Sequence, residues 1–333
     1  MNLRSLNSAD NVLILGHHNA DPDAICSMIA FKEIYQNLHP DAVINMACDD
    51  ISKLSTHVLD IFAPDETILS EISGQYDLVV LLDTNSLSQL GSLVENLALN
   101  PENTLIIDHH EESEEAANIA STRWIQSDIS STCEMMVTLY VDSEVSISPR
   151  VANLLLTGIL FDTRRFFYAG VTTFDSTCKL IDAGAKYKKC VQSLIVRPER
   201  SERIARLKAA SRLTVYTIDE WIIVTSKIGA YEASACRGII DLGADVAIVG
   251  GRPSQNKVRI SSRSTSHFSR STGINLGLDV MAPLGELIGG QGGGHQNAAG
   301  ANGVKNRSEA LKQAVELIRQ KLQEGTSENQ TVP

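Results

Sequence analysis

Three short runs in the first third of the chain are apolar almost without interruption, and each ends on residues able to carry charge. Val12–Gly16 leads into His17-His18-Asn19-Ala20-Asp21-Pro22-Asp23, Leu78–Leu82 into Asp83-Thr84-Asn85, and Thr104–Ile107 into Asp108-His109-His110. A strand with one face in water alternates apolar and polar residues, so unbroken apolar strands must be covered on both faces. Helical segments are expected over 24–37 and 51–61, on either side of a further strand candidate at 43–48, and over 130–140 and 149–161 beyond the third run. The first follows Asp21 as N-cap with Pro22 at the first helical position, and the last follows Ser148-Pro149. This alternation predicts an α/β fold, with a doubly wound parallel sheet in an N-terminal domain over residues 1–184. In such sheets the carboxyl ends of the strands line one edge, where ligands collect.

A charged, amphipathic stretch over 185–211, interrupted by Pro198, reads as a connector. Beyond it, strands are expected over 213–218, 221–227, 245–250 and 257–262, with helices over 230–242, 275–288 and 308–322 and a glycine-rich loop at 289–294. The expectation is a smaller α/β C-terminal domain over 212–323, a cleft between the two domains, and a disordered tail over 324–333.

The net charge of −11 over 333 residues is unevenly spread. Residues 1–184 hold 8 basic and 27 acidic side chains, whereas residues 185–333 hold 21 and 13. The first half is therefore suited to gathering cations and the second to holding an anion. Overall acidity argues against coating long nucleic acid. The longest apolar run, 151–161, is about half the roughly 20 residues that span a bilayer. The N-terminal segment becomes polar too early for an export signal. The six cysteines show no C-x-x-C spacing and read as reduced, which with the missing signal points to the cytoplasm.

An aspartate at a strand end is usually a cap or a turn former. Several converging on one edge repel one another unless cations neutralise them. Histidine and aspartate without thiols suit Mn²⁺, with Mg²⁺ an alternative. Asp21 and Asp23 flank the rigid Pro22 and can reach two ions, with Asp83 between them. Two ions about 3.5–4 Å apart serve hydrolytic displacement at phosphorus. A fourth acid, Asp162, closes the apolar stretch that ends at Phe161.

His17-x-Asn19-x-Asp21-x-Asp23, Asp83, Asp108-His109-His110 and Asp162 together resemble the four motifs of the DHH phosphoesterases. Gly292-Gly293-Gly294-His295-Gln296-Asn297-Ala298-Ala299-Gly300 resembles the G-G-G-H signature of the DHH-associated C-terminal domain. The resemblance runs from about residue 12 to 303. It implies that His17 and Asp21 hold one Mn²⁺, that Asp23, His109 and Asp162 hold the other, and that Asp83 bridges them. It further implies that Asp108 orients a ligating imidazole and that His110 faces the scissile phosphate.

The glycine run lacks the Gly-Lys-Ser/Thr of a Walker loop and the strand context of a dinucleotide fingerprint. A flexible linker is the ordinary reading of such a run; the functional one is close backbone approach to a phosphate or base, through Gly293, Gly294 and His295. On the strand 257–264, Arg259, Ser261 and Arg263 share one face. Arg263 is the expected phosphate anchor, with Asn275 a further contact.

Within the family, the two-domain length is most similar to nano-RNases, which hydrolyse very short RNA and also act on 3′-phosphoadenosine 5′-phosphate (pAp). The alternatives are a cyclic-dinucleotide or linear-dinucleotide phosphodiesterase, a RecJ-like single-strand exonuclease and, without catalysis, a replication-associated scaffold. A homodimer is a further expectation of the resemblance.

Overall fold

Five parallel strands form the sheet of the first unit. They are β1 (Asn11–Leu15), β2 (Val43–Ala47), β3 (Leu78–Leu82), β4 (Thr104–Asp108) and β5 (Thr122–Ile125), in the spatial order β2-β1-β3-β4-β5. The computed structural model describes residues 3, 9–304 and 306–329, with side chains described as far as residue 324.

The pleat alternation explains why these strands are apolar throughout. Val12, Ile14, Val80, Leu82, Leu105 and Ile107 face a core built with helices α1 (Pro22–Leu38), α4 (Thr132–Asp142) and α5 (Pro149–Asp162). Leu13, Leu15, Val79, Leu81 and Ile106 face a second core closed by the 3-10 segment Leu87–Asn96 and the short α3 (Ala116–Ile119). The helix α2 (Lys53–Phe62) starts at Ser52, whose Oγ accepts from Ser55 N. The strand order reverses between β1 and β3, so the loops leaving these strands diverge and open a crevice at their carboxyl ends.

The chain divides between residues 196 and 197, rather than at 184. Helices α6 (Val171–Asp182) and α7 (Tyr187–Ser193) stay with the first unit because buried Cys190 of α7 belongs to its core. The expected connector is thus part of the first unit up to Val196. Its remainder is mostly helix α8 (Arg200–Ala210) of the second unit.

In the second unit, β6 (Thr214–Ile218), β7 (Trp221–Lys227), β8 (Val246–Ser254), β9 (Lys257–Ser264), β10 (Gln291–His295) and β11 (Ala298–Gly303) form a sheet in the order β10-β11-β9-β8-β7-β6. Only the β7–β8 pair is parallel. Helices α8 and α9 (Glu232–Asp241) cover one face. The other is covered by α12 (Arg307–Asn329) and a compact stretch of three short helices: α10 (Ser266–Thr272), a π-helical turn (Leu276–Met281) and α11 (Ala282–Leu287).

Two expectations are corrected here. The glycine-rich segment is not a free loop, because Gly292–Gly294 form a strand laid flush on helical backbone. A Cβ on Gly292 would lie 1.7 Å from Met281 O, and one on Gly277 2.2 Å from Gly294 O. Glycine is needed on both sides of that contact. Nor is the tail disordered from 324: α12 continues to Asn329, since a formed helix extends at little cost. Residues 330–333 lie outside the described residues.

Candidate metal centre

Four carboxylates and two imidazoles meet at the crevice where the strand order reverses. His17 follows β1, and its Nδ1 donates to the carbonyl of His18 at 2.8 Å. This leaves Nε2 facing the acids, 3.8 Å from Asp21 Oδ1 and 3.7 Å from Asp83 Oδ2. Asn19 makes the tight turn with a φ of 54°, in the left-handed region that Asn tolerates. Asp21 caps α1, accepting from Asp23 N at 2.9 Å and Ala24 N at 3.2 Å. Burial would raise its pKa, but His17 and these amide donors hold it below the ordinary carboxylate value.

Asp23 is fully buried in the first turn of α1 and reaches across to another helix. Its Oδ2 accepts from Thr132 N at 2.7 Å and its Oδ1 from Cys133 N at 3.0 Å, the first free amides of α4. Burial, followed by the charge of Asp162, still pushes its pKa up to about 7. Asp83 leaves β3 with a φ of 60°. Its Oδ1 accepts from Thr132 Oγ1 at 2.9 Å and lies 3.5 Å from His109 Nε2. Burial, and then the charges of Asp23, Asp21 and Asp162, lift Asp83 well above the ordinary range.

His109 Nε2 lies 3.1 Å from Asp162 Oδ2 at the end of α5, yet it is buried without a hydrogen-bond partner. Burial alone would lower its pKa, but Asp162 and the charges of Asp23 and Asp108 hold it up to about 9.

Among the described residues, potential ligand atoms fall into three overlapping groups within 4.8 Å: His17, Asp21 and Asp83; Asp23, Asp83, His109 and Asp162; and Asp83, His109 and His110. Asp83 is common to all three. Stacked carboxylates whose ionisation is opposed by one another, together with an orphaned imidazole nitrogen, fit a pair of divalent cations. The donors are oxygen and nitrogen without sulfur, which suits Mn²⁺ or Mg²⁺.

Asp108 is oriented differently from the expectation. It does not hold an imidazole of the expected ligand set. Its Oδ1 instead lies 2.8 Å from Nδ1 of His110 and accepts from His110 N at 3.2 Å. The cause is local, since a carboxylate at the end of β4 folds back onto the residue two positions on. Asn85 Nδ2 donates to the other oxygen at 2.5 Å and to Glu111 O at 3.0 Å. His110 is thus fixed at Nδ1, with its side chain 54% exposed.

Thr132 and Asn85 are contacts that sequence reasoning did not single out. Asn85 sits two residues beyond Asp83 and was visible as part of the same strand-end motif. Thr132 lies 49 positions from its partner and carries no local signal.

In the second unit, Arg263 on β9 pairs with Ala298 on β11, which in turn pairs with His295 on β10. Arg263 and His295 are therefore level, two strand spacings or about 9.5 Å apart in backbone. Gly294 adjoins His295 with a φ of 138°, whereas the Cα of Gly293 faces open space. Asn275 caps the π-helical turn, accepting from Gly277 N at 2.9 Å and Leu278 N at 3.2 Å, so its side-chain oxygen is engaged structurally.

Comparison with known proteins agrees with this geometry. The DHH family N-terminal domain matches residues 11–159, and the DHHA1 domain matches residues 229–324. The chain is 32% identical over 311 residues to an uncharacterized protein of Methanocaldococcus jannaschii, covering 93% of this chain and 92% of that one. It is 23% identical to a probable manganese-dependent inorganic pyrophosphatase of Listeria welshimeri, covering 83% and 94%. Against the cyclic-di-AMP phosphodiesterase GdpP of Bacillus subtilis it is 26% identical, covering 93% of this chain but only 48% of that protein. The solved structure of an exopolyphosphatase-related protein from Bacteroides fragilis superposes with a TM-score of 0.63 at 19% identity, covering 96% and 94%, which establishes the shared fold. No helix among the described residues is long and apolar enough to cross a membrane. With its motif residues gathered around one cation-binding crevice, the chain belongs to the DHH family of metal-dependent phosphoesterases.

Proposed function

We propose that this protein hydrolyses short oligoribonucleotides at a two-ion centre, with pAp as a further substrate. The observation that supports this reading is the sharing of Asp83 by two donor groups, one through Oδ2 beside His17 and the other through Oδ1 beside His109. His17, Asp21 and Asp83 would hold one ion, and Asp23, Asp83, His109 and Asp162 the other. Ions bound there supply an activated water and draw charge from the phosphoryl oxygens.

The chain's own groups do the rest. Thr132 holds Asp83 by its hydroxyl, and the amides of α4 hold Asp23, so both acids are oriented before substrate arrives. His110, fixed at Nδ1 by Asp108, presents Nε2 outward and can pass a proton to the oxygen that leaves when the P–O ester bond breaks. Arg263, His295 and the Gly293-Gly294 backbone are the proposed grip for a terminal phosphate. A grip of that kind favours chains of a few nucleotides over polymers.

Cleavage of a cyclic dinucleotide is the second reading, favoured by the similarity to GdpP over 93% of this chain. The test is a substrate panel with Mn²⁺: a labelled diribonucleotide, pAp, cyclic di-AMP and pyrophosphate. Faster turnover of the diribonucleotide supports the first reading. Preference for cyclic di-AMP supports the second, and pyrophosphate hydrolysis alone overturns both. Inactivity on the whole panel favours a scaffold.

A further inference from the structure

Directly after Asp162 the backbone does something costly. Arg164, Arg165 and Phe166 adopt φ values of 46°, 57° and 72°, three consecutive non-glycine residues in the left-handed region. The left-handed region crowds Cβ against the following carbonyl, so a run of three such residues survives only if its surroundings enforce it.

The surroundings are on hand. Arg165 N donates to Leu160 O at 2.7 Å, Phe166 N to Thr163 Oγ1 at 3.0 Å and Tyr168 N to Thr163 O at 3.0 Å. The Phe166 ring is seated against Phe174 and Tyr187, at centroid distances of 5.4 and 6.2 Å. What this bracing displays is apolar. Phe167 is 77% exposed and Tyr168 56% exposed, their rings edge to face at 4.8 Å. The guanidinium of Arg164 lies over the Tyr168 ring, 5.2 Å from its centre. Exposed Arg165 adds a second cation beside them.

A strained turn that holds two aromatic rings and two arginines in water, two residues beyond a proposed cation-binding acid, calls for a flat, electron-rich, anionic ligand. Pyrophosphate and polyphosphate offer no ring to such a surface. A nucleobase does, and an arginine layered on an aromatic ring is a surface on which bases stack, while the arginines attract the adjoining phosphate. We propose that the Arg164–Tyr168 turn is the base-stacking platform of this enzyme and selects nucleotide esters over base-free phosphates. The proposal rests on the oligonucleotide reading above and names the feature of the substrate that is recognised. Phe167 and Tyr168 are specificity-determining residues, since they meet the base rather than the scissile bond.

The test compares Phe167→Ala, Tyr168→Ala and Tyr168→Trp with the unaltered protein under Mn²⁺. Initial rates are taken on a diribonucleotide and on its abasic analogue, and binding of AMP is followed by calorimetry. Both rings are exposed, so the alanine variants should fold. The expected result is a KM for the diribonucleotide raised about tenfold in each alanine variant, or about 1.4 kcal/mol, with kcat unchanged. AMP binding weakens in parallel, the abasic analogue is hydrolysed as before, and Tyr168→Trp behaves as the unaltered protein. Equal losses on both esters would overturn the proposal by showing that the turn merely supports Asp162. Unchanged KM and AMP binding would overturn it as well, and if elution also shifted to a smaller species, a second copy of the chain covers the rings. Failure of the unaltered protein to cleave the diribonucleotide, while AMP binding remains sensitive to Phe167, would refute the oligonucleotide reaction and leave the platform standing.

Discussion

Thr132 donates its hydroxyl to Oδ1 of Asp83 across 2.9 Å, while its own backbone amide donates to Asp23. One residue at the start of α4 therefore sets the angle of two acids from different strands and helices. Replacing Thr132 by Val keeps the shape and the amide but frees one oxygen of Asp83. Residues that orient ligands from behind typically account for about 10–100-fold in metal affinity. Mn²⁺ titration of the Val variant should show a loss of that size. Affinity equal to that of the unaltered protein would mean that Asp83 is held by its surroundings alone.

The Asp108–His110 pair predicts a separation of binding from turnover. In Asp108→Asn the acid that fixes Nδ1 is gone, but none of the six proposed ligands is touched. Turnover should fall by roughly 10²–10⁴, the usual range for a positioned proton donor. Mn²⁺ binding, measured by calorimetry on the same preparation, should be unchanged. A parallel fall in both would place His110 among the ligands instead.

Stability without metal should depend on pH in an unusual sense. An ordinary paired carboxylate favours folding once ionised, but the pKa of Asp23 is raised to about 7 by burial and Asp162, and that of Asp83 is raised too. Below that value the folded state holds protons that the unfolded chain has lost, so stability falls as pH rises from about 4 towards 7. His109, held up to about 9 despite its burial, adds stability that is complete below about 6.5 and disappears as pH rises through 9. The chelated protein should therefore melt at a higher temperature at pH 5.5 than at pH 8.5, and added Mn²⁺ should restore the loss at pH 8.5. A higher Tm at pH 8.5 without metal would show that the acids are not crowded as described.

Two neighbouring glycines should respond in opposite ways. A Cβ at Gly292 would press on Met281 O, a backbone atom that cannot yield, whereas one at Gly293 meets nothing within 4 Å. Thermal melting should show Gly292→Ala destabilised by about 1–3 kcal/mol, as for overpacked cores, and Gly293→Ala close to the unaltered protein. If Gly293 approaches a bound phosphate, its variant keeps its Tm but shows a raised KM. Loss of Tm in Gly293→Ala would assign that glycine to packing.

Much of this architecture is written locally. β3 falls where its unbroken apolar run lies, and Asp21, Ser148 and Pro149 mark helix starts by their own chemistry. The acids and histidines of the proposed ligand set stood out because they follow apolar segments closely, and the fold brings them near one another. Elements with mixed composition were not legible. β5, with Thr122 and Arg123 exposed, is an edge strand without a clear alternation, and α6 begins on Val-Thr-Thr, which favours extended backbone until Thr173 closes its first turn. The hairpin of β10 and β11 reads as a loop because glycine carries no strand signal, and its reason lies in the close backbone packing of the helical turns just before it. The partners of Asp23 and Asp83 on α4 are more than 45 residues away, and no periodicity reports such a meeting.

Asp23 also stoppers the open amides at the head of α4, a duty that remains when no chemistry is required of the protein. The same side chain is thus mortar and tool. A descendant that gave up hydrolysis would still have reason to keep this aspartate, because its loss leaves the amides of Thr132 and Cys133 without their acceptor. Its survival in a relative would accordingly say little about whether that relative still works as an enzyme.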